Sequence, residues 1–149
     1  MLKKIKKPKI VAVSGGFDPM HIGHVRLFRE AKKLGSKLVV ILNNDNWMQR
    51  KKGYTFMPES ERKEIIEAIS AVDEVILSMH EPNPKDMSVS KELEKVRPHI
   101  FANGGDRKAD NVPEHVVCRK INCLMVYNVG KGDKIQSSSW LVGKVKDGK

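Results

Sequence analysis

The chain contains few of the features that mark specialised protein classes. It has only two cysteines, Cys118 and Cys123, in 149 residues, which excludes a disulfide framework. No apolar run approaches the roughly 18 residues needed to cross a bilayer. The lysine-rich start is not followed by the apolar stretch of a signal peptide. We therefore expect a cytoplasmic protein with reduced thiols and no membrane segment.

Aromatic residues are also scarce, at 5% of the chain. Single-stranded nucleic acid is usually held on aromatic stacking platforms, so the low content disfavours simple nucleic-acid binding as the function. The net charge of +10 still favours a polyanionic ligand, of which a nucleotide is one. Part of this charge lies in two predicted basic tails, residues 1–8 and 144–149.

The patterns that are present predict one α/β domain over residues 1–149. Near-continuous apolar runs are typical of strands buried on both faces, and helical patterns separate them. The alternation favours three layers around a mainly parallel five-stranded sheet. The predicted strands are residues 10–13, 38–42, 75–77, 100–102 and 124–127. The predicted helices are residues 22–34, a segment containing Ile65, Ile66 and Ile69 on one face, residues 113–120, and a helix from about Ser137.

Ligands of such sheets bind beyond the carboxyl ends of the strands, which directs attention to residues 14–21, 103–107 and 128–136. The first of these loops leads into His21-Ile22-Gly23-His24 at the start of a helix. Two imidazoles three residues apart on a first helical turn can face one ligand, and such donors suit phosphoryl transfer. From the spacing alone, a structural histidine pair and a pair of metal ligands stay open as alternatives.

Residues 15–24 resemble the signature of the cytidylyltransferase-like nucleotidyltransferases. The resemblance implies a Rossmann-like fold in which His21 and His24 are catalytic and stabilise the transition state at the α-phosphate. It implies nucleotide binding by the matched positions Gly15, Gly16, Phe17, His21, Gly23 and His24.

The likeness extends along most of the chain. Lys51 and Lys52 are predicted to lie on the loop after the second strand. Lys51 corresponds to a lysine that clamps the triphosphate in these enzymes, so it is implied to be a third catalytic residue that holds charge as pyrophosphate leaves. A pair of solvated loop lysines is the alternative. We assign Asp18, Asp45 and Lys52 to the acceptor, with Asp18 helping to place either the acceptor or Mg²⁺.

Two later segments also resemble motifs of this family. Residues 134–139 are similar to its last motif, so that Ser137, Ser138 and Ser139 are implied to grip phosphates, with helix capping as the structural alternative. Residues 103–108 are similar to a Gly-Gly-Asp stretch of heptose-phosphate adenylyltransferases. There Gly104 leaves room for a base or sugar, while Asp106 and Arg107 are further nucleotide-binding candidates.

The predicted function is Mg²⁺-dependent transfer of AMP or CMP from ATP or CTP to a small phosphorylated acceptor, with release of pyrophosphate. The last motif lacks the arginine of the alcohol-phosphate cytidylyltransferases, and Ser70 stands where those enzymes have another arginine. This favours a sugar-phosphate adenylyltransferase, with a glycerol-phosphate type of cytidylyltransferase as the alternative.

Class I aminoacyl-tRNA synthetases are also similar, but 149 residues leave no room for an anticodon-binding part. A homodimer is implied by the resemblance.

One group of residues has the composition of a zinc site. His115, Cys118 and Cys123 are zinc-ligand types, but a structural site needs four ligands and no fourth is evident. We therefore expect two buried, inert cysteines and assign no metal-binding residue.

Overall fold

A computed structural model describes residues 8–105, 112–130 and 138–146, except for the side chains of residues 139, 140, 145 and 146. The strands are β1 (Ile10–Gly15), β2 (Lys37–Leu42), β3 (Glu74–Leu77), β4 (Ile100–Ala102) and β5 (Leu124–Val126). The helices are α1 (Ile22–Lys32), α2 (Asp45–Lys52), α3 (Glu59–Glu67), α4 (Ser90–Val96), α5 (His115–Lys120) and α6 (Ser138–Lys146).

The five strands form one parallel sheet in the order β3-β2-β1-β4-β5. The chain winds outward from β1 to β3, then crosses to the other side of β1 and continues through β4 and β5. The strand order therefore reverses between β1 and β4, and sheets of this kind bind ligands in a crevice at the carboxyl ends of the strands where the order reverses. The predicted α/β fold with a parallel five-stranded sheet is confirmed.

The helices bury apolar side chains against both faces of the sheet. Val11 and Val13 of β1 pack with Phe28 of α1 and Ile66 of α3 on one face. Ala12 packs on the other face, in a cluster with residues of α4 and α5. Because successive strand residues point to opposite faces, a central strand buried on both sides must be apolar throughout.

Two helices, α2 and α4, were not predicted from the sequence. The only buried residue of α2 is Met48, so it lacks an apolar stripe, and capping defines its ends. Asn44 accepts the backbone N–H of Trp47 at 3.0 Å, and Gly53 ends the helix with φ 79°, in the left-handed region. Helix α4 has only seven residues, too few to show a helical period.

Several predicted boundaries need correction. Helix α1 ends at Lys32 rather than at Leu34, which lies in a turn with 37% of its surface exposed. Ile65 does not share the buried face of α3, because it is adjacent to fully buried Ile66 and points about 100° away from it. Helix α6 continues to Lys146, so residues 144–146 are helical and are not part of a C-terminal tail.

Cys118 and Cys123 are both buried and free, as predicted. A hydrogen bond with Cys123, together with burial, raises the pKa of Cys118 well above its usual range. Among the described residues there is no group of three or more His, Cys, Asp and Glu side chains placed to hold a metal ion. Within the same ranges, no helix has the length and apolarity needed to span a membrane.

Candidate active site

The first loop begins at the carboxyl end of β1, and its two glycines allow close packing. A Cβ on Gly15 would lie 2.8 Å from the Phe17 ring, and a Cβ on Gly16 would lie 2.6 Å from the sulfur of Met48. Phe17 is buried and meets the His24 ring edge-on, with centroids 4.8 Å apart. The Phe17 side chain therefore supports His24 from the core, and its predicted role in nucleotide binding stays a prediction.

His21 and His24 form a reciprocal cap at the start of α1. Nδ1 of His21 accepts the N–H of Gly23 at 3.1 Å, and Nδ1 of His24 accepts the N–H of His21 at 3.2 Å. The two rings stack with centroids 3.7 Å apart. A ring nitrogen that accepts an N–H bond carries no proton, so each neutral ring has its proton on Nε2. The pair thus presents two Nε2–H donors side by side.

The electrostatic surroundings keep His24 neutral. Burial, followed by the neighbouring His21 ring and the Lys52 ammonium, lowers the pKa of His24 from 6.5 to about 3. A neutral ring held in one tautomer is a fixed hydrogen-bond donor at physiological pH. It can stabilise negative charge that develops on a ligand without first exchanging a proton.

This pKa shift predicts a pH-dependent stability. As the pH falls below 6.5, the unfolded chain protonates His24, whereas the folded protein resists protonation down to about pH 3. The unfolded state then binds more protons, so the free energy of unfolding falls as the pH decreases through this window. Between pH 7.5 and 5 we expect a loss of about 1–2 kcal/mol attributable to His24, measured by urea denaturation.

The matched variant for this measurement is His24→Asn, which cannot titrate but keeps an oxygen that can accept the His21 N–H. We expect its stability to depend less on pH over the same window. Equal losses in the wild-type protein and the variant would show that His24 does not resist protonation.

The two lysines assigned from the resemblance lie in the last turn of α2. The prediction that they lie on a loop was wrong. Lys51 is exposed to solvent, whereas Lys52 is half-buried. The charge of Lys52 acts on His24 and lowers its pKa. Of the two ammonium groups, that of Lys52 is therefore the one on the histidine side of α2.

Asp18 joins the first loop to the segment that follows α2. It is 1% exposed, and its two oxygens accept the N–H groups of Phe56 and Met57, each at 2.7 Å. Each oxygen has a second lone pair, so a contact with the acceptor or with Mg²⁺ stays a prediction. The observed bonds tie Phe56 and Met57 to the first loop.

Arg62 of α3 connects four parts of the site and was not identified from the sequence. It is fully buried. Its Nε donates to the carbonyl oxygen of Met57 at 2.9 Å, and its Nη1 donates to those of Gly16 and Asn43, each at 2.7 Å. Its Nη2 pairs with Oδ1 of Asp45 at 2.7 Å. The acceptor role predicted for Asp45 is untested, and the observed role is to help seat this guanidinium.

A sequence signal for Arg62 does exist. It lies four residues before Ile66, and thus on the same buried helical face. An arginine at a core-facing position must have its donors satisfied, so it indicates a structural hub.

The remaining predicted residues are only partly described. Asn103 and Gly104 follow β4 beside the crevice, and the carbonyl of Asn103 accepts the N–H of Val129 at 3.0 Å. The hydroxyl of Ser138 donates to the carbonyl of Pro19 at 2.7 Å, which brings the start of α6 to the first loop. Asp106, Arg107, Ser137 and the side chain of Ser139 lie outside the described part of the chain.

Comparison with known proteins adds sequence and structural relatives. A sequence model of the family described as cytidylyltransferase-like matches residues 12–138. The FAD synthase of Ferroglobus placidus is 40% identical over 102 residues, which are 68% of this chain and 62% of that protein. The bifunctional protein HldE of Koribacter versatilis is 34% identical over 106 residues, covering 70% of this chain and 21% of that protein.

A solved structure shares the fold. The lipopolysaccharide core biosynthesis protein from Thermoplasma volcanium matches with a TM-score of 0.69 at 29% identity, over 85% of this chain and 100% of that chain. Since the family match spans most of the chain and includes both histidines, the chain belongs to the cytidylyltransferase-like family of nucleotidyltransferase enzymes.

Proposed function

We propose that this protein transfers AMP from ATP to a small phosphorylated acceptor and releases pyrophosphate. The observation that carries the proposal is the histidine pair at the start of α1. Backbone N–H groups bond to Nδ1 of both rings, which leaves the proton of each neutral ring on Nε2, and the two rings stack with centroids 3.7 Å apart. Donors fixed in advance can stabilise the charge that develops on an α-phosphate without reorganisation.

In the reaction, an oxygen of the acceptor phosphate attacks the α-phosphorus of ATP. The bond from that phosphorus to the α,β-bridging oxygen breaks, and its electron pair leaves with pyrophosphate. The product carries a new phosphoanhydride between the acceptor phosphate and AMP. Phosphoryl transfer of this kind depends on positioning and on electrostatic stabilisation, so no protein nucleophile is required.

The fold supports a nucleotide in the crevice between β1 and β4. The start of α1 lies there, and the Ser138 bond to Pro19 brings the start of α6 to the same loop. Helix N-termini offer unpaired N–H groups and a partial positive charge, which favour phosphate oxygens.

Mg²⁺ is proposed as part of the nucleotide substrate. The described residues form no metal-binding cluster, and both oxygens of Asp18 already accept backbone N–H groups. These residues do not amount to a protein cage for the ion. Triphosphate oxygens and water are ligands that Mg²⁺ commonly takes in nucleotide sites.

For the acceptor we propose FMN first, because joining AMP to FMN yields FAD. Two relatives named FAD synthase are 40% and 39% identical to this chain and align over 68% and 70% of it. A sugar phosphate, predicted from the sequence, is the second candidate. The alignments with HldE proteins, at 34% identity in one case, favour it.

The test is pyrophosphate release with Mg²⁺ and each of ATP, CTP, GTP and UTP against FMN, sugar phosphates and alcohol phosphates. Turnover with ATP and FMN is the expected result. Turnover only with ATP and a sugar phosphate would change the acceptor, and turnover only with CTP would change the nucleotide. Absence of ATP binding by calorimetry would contradict the proposed function.

A homodimer and a cytoplasmic location complete the proposal. Sedimentation that shows only monomer at assay concentrations would contradict the dimer.

We further propose that Lys52, rather than Lys51, contacts the triphosphate. Lys52→Ala is expected to reduce kcat/KM for ATP by about 10- to 100-fold, because a charge-assisted contact with phosphate is lost. Lys51→Ala is the matched control, with the same charge change at the neighbouring exposed position. An effect of Lys51→Ala at least as large as that of Lys52→Ala would restore the assignment made from the resemblance.

A further inference from the structure

We propose that Trp47 is the platform on which the ring of the acceptor lies, and that it selects planar aromatic acceptors over sugars. This inference rests on the proposed function, because it concerns the acceptor of the same reaction. Trp47 does not belong to any motif that we identified in the sequence. Its significance comes from where the structure places its indole.

The indole of Trp47 spans the carboxyl end of β2. At one end, Nε1–H donates to the carbonyl of Met87, in the loop after β3, at 2.8 Å. At the other end, Cζ3 is 3.4 Å from the position that a Cβ on Gly16 would occupy, in the loop after β1. The ring thus bridges the loops on both sides of β2, at the sheet edge where ligands of such folds bind.

The loop that holds the indole is itself fixed. The side-chain amides of Asn44 and Asn46 both donate to the carbonyl of His80 at 2.9 Å. Nε2 of His80 is hydrogen-bonded to the carbonyl of Ser88 at 2.9 Å. Ser88, which follows Met87, is therefore bonded through His80 to Asn44 and Asn46 at the start of α2. Because these bonds fix the loop on which the indole rests, Trp47 is part of a preorganised surface.

The chemistry of this surface suits an aromatic ring. The single N–H of Trp47 is already bonded to Met87, and the half-buried side chain offers its apolar ring surface. Planar heteroaromatic rings gain about 1–3 kcal/mol by stacking on aromatic side chains, as nucleobases do. A sugar ring carries hydroxyl groups in place of a π-face, and covering them with an apolar ring is unfavourable unless they find hydrogen-bond partners.

The position also suits the reaction geometry. The proposed nucleotide crevice lies between β1 and β4, and the indole lies on the other side of the first loop, over β2. An acceptor on Trp47 and a nucleotide in the crevice would meet at the first loop, which leads into the histidine pair at the start of α1.

The experiment compares the wild-type protein with Trp47→Leu, which removes the ring, and Trp47→Phe, which keeps a ring but loses the bond to Met87. Val116→Ala, at a 78% exposed position on α5, is the control. Calorimetry gives the Kd of FMN and of ATP separately, steady-state assays give KM and kcat, and flavin emission reports stacking.

We expect Trp47→Leu to raise the Kd and KM for FMN about 10- to 100-fold. The Kd for ATP should change less than about twofold, and Trp47→Phe should lie between wild type and Trp47→Leu.

Quenching of flavin emission on binding is expected in the wild-type protein and should weaken in Trp47→Leu. If Trp47→Leu does not fold by circular dichroism, Trp47→Phe and the wild-type quenching carry the test. Unchanged FMN affinity in Trp47→Leu, or absence of quenching in the wild-type protein, would overturn the platform. ATP binding and turnover with a sugar phosphate but no FMN binding would also overturn it while leaving nucleotidyl transfer intact. Absence of ATP binding would instead remove the proposed function.

Discussion

Replacing His24 by alanine is expected to lower kcat by a factor of about 10² to 10³ while leaving the fold intact. The substitution removes one of the two Nε2–H donors from the start of α1. Removal of a single preorganised donor to a developing oxyanion typically has an effect of this size. The buried Phe17 meets the His24 ring edge-on and itself packs against Phe28, and this contact between the two phenyl rings stays in the variant. Single-turnover measurements of pyrophosphate release would report the chemical step directly.

Two further substitutions of His24 separate catalysis from capping. His24→Asn keeps an acceptor for the His21 N–H, which His24 now bonds at 3.2 Å, but removes the donor at the Nε2 position. His24→Gln does the reverse, because its longer side chain can place an amide N–H near the position of Nε2. We expect His24→Asn to keep the free energy of unfolding of the wild-type protein but to have a low kcat. His24→Gln is expected to have a higher kcat than His24→Asn or His24→Ala. If the Asn variant had wild-type kcat, His24 would be a helix cap and not a catalytic group.

The sheet was predictable because its strands are buried on both faces. In β2, residues 38–42 are apolar without interruption and all are buried, so pattern and structure agree. Helices α2 and α4 could not be predicted in the same way. Helix α2 buries a single residue, and polar contacts fix it, such as those of Asn44 with Ser78 and His80. Those partners are more than thirty positions away, and sequence periodicity does not report them.

The candidate site shows the same division. The histidine spacing was visible in the sequence, but the direction of each ring depends on which backbone N–H it accepts. Lys51 and Lys52 are chemically identical neighbours, and only the turn of α2 distinguishes the exposed side chain from the one near His24. Local sequence thus identified the kinds of groups present, whereas tertiary structure decided which of them face one another.

Replacing Arg62 by methionine is expected to destabilise the protein by about 3–5 kcal/mol. Methionine approximates the length of the aliphatic stem but donates no hydrogen bond. The carbonyls of Gly16, Asn43 and Met57 would each lose a donor at a position where water has little access. Unsatisfied buried polar groups cost about 1–3 kcal/mol each. Urea denaturation of the two proteins at pH 7.5 gives the difference directly.

The ion pair with Asp45 should account for little of this loss. The Asp45 side chain is 38% exposed, so water can replace the guanidinium there, and Asp45→Asn should cost less than about 1 kcal/mol. In a protein that already carries Asp45→Asn, Arg62→Met should still lower the free energy of unfolding by most of the amount that it does in the wild-type protein. A loss confined to the Asp45-containing protein would mean that charge pairing, not carbonyl satisfaction, is the role of Arg62. If the carbonyls dominate, Arg62 acts as a backbone clamp that holds the first loop, the end of β2 and the segment after α2 in one arrangement around the histidines.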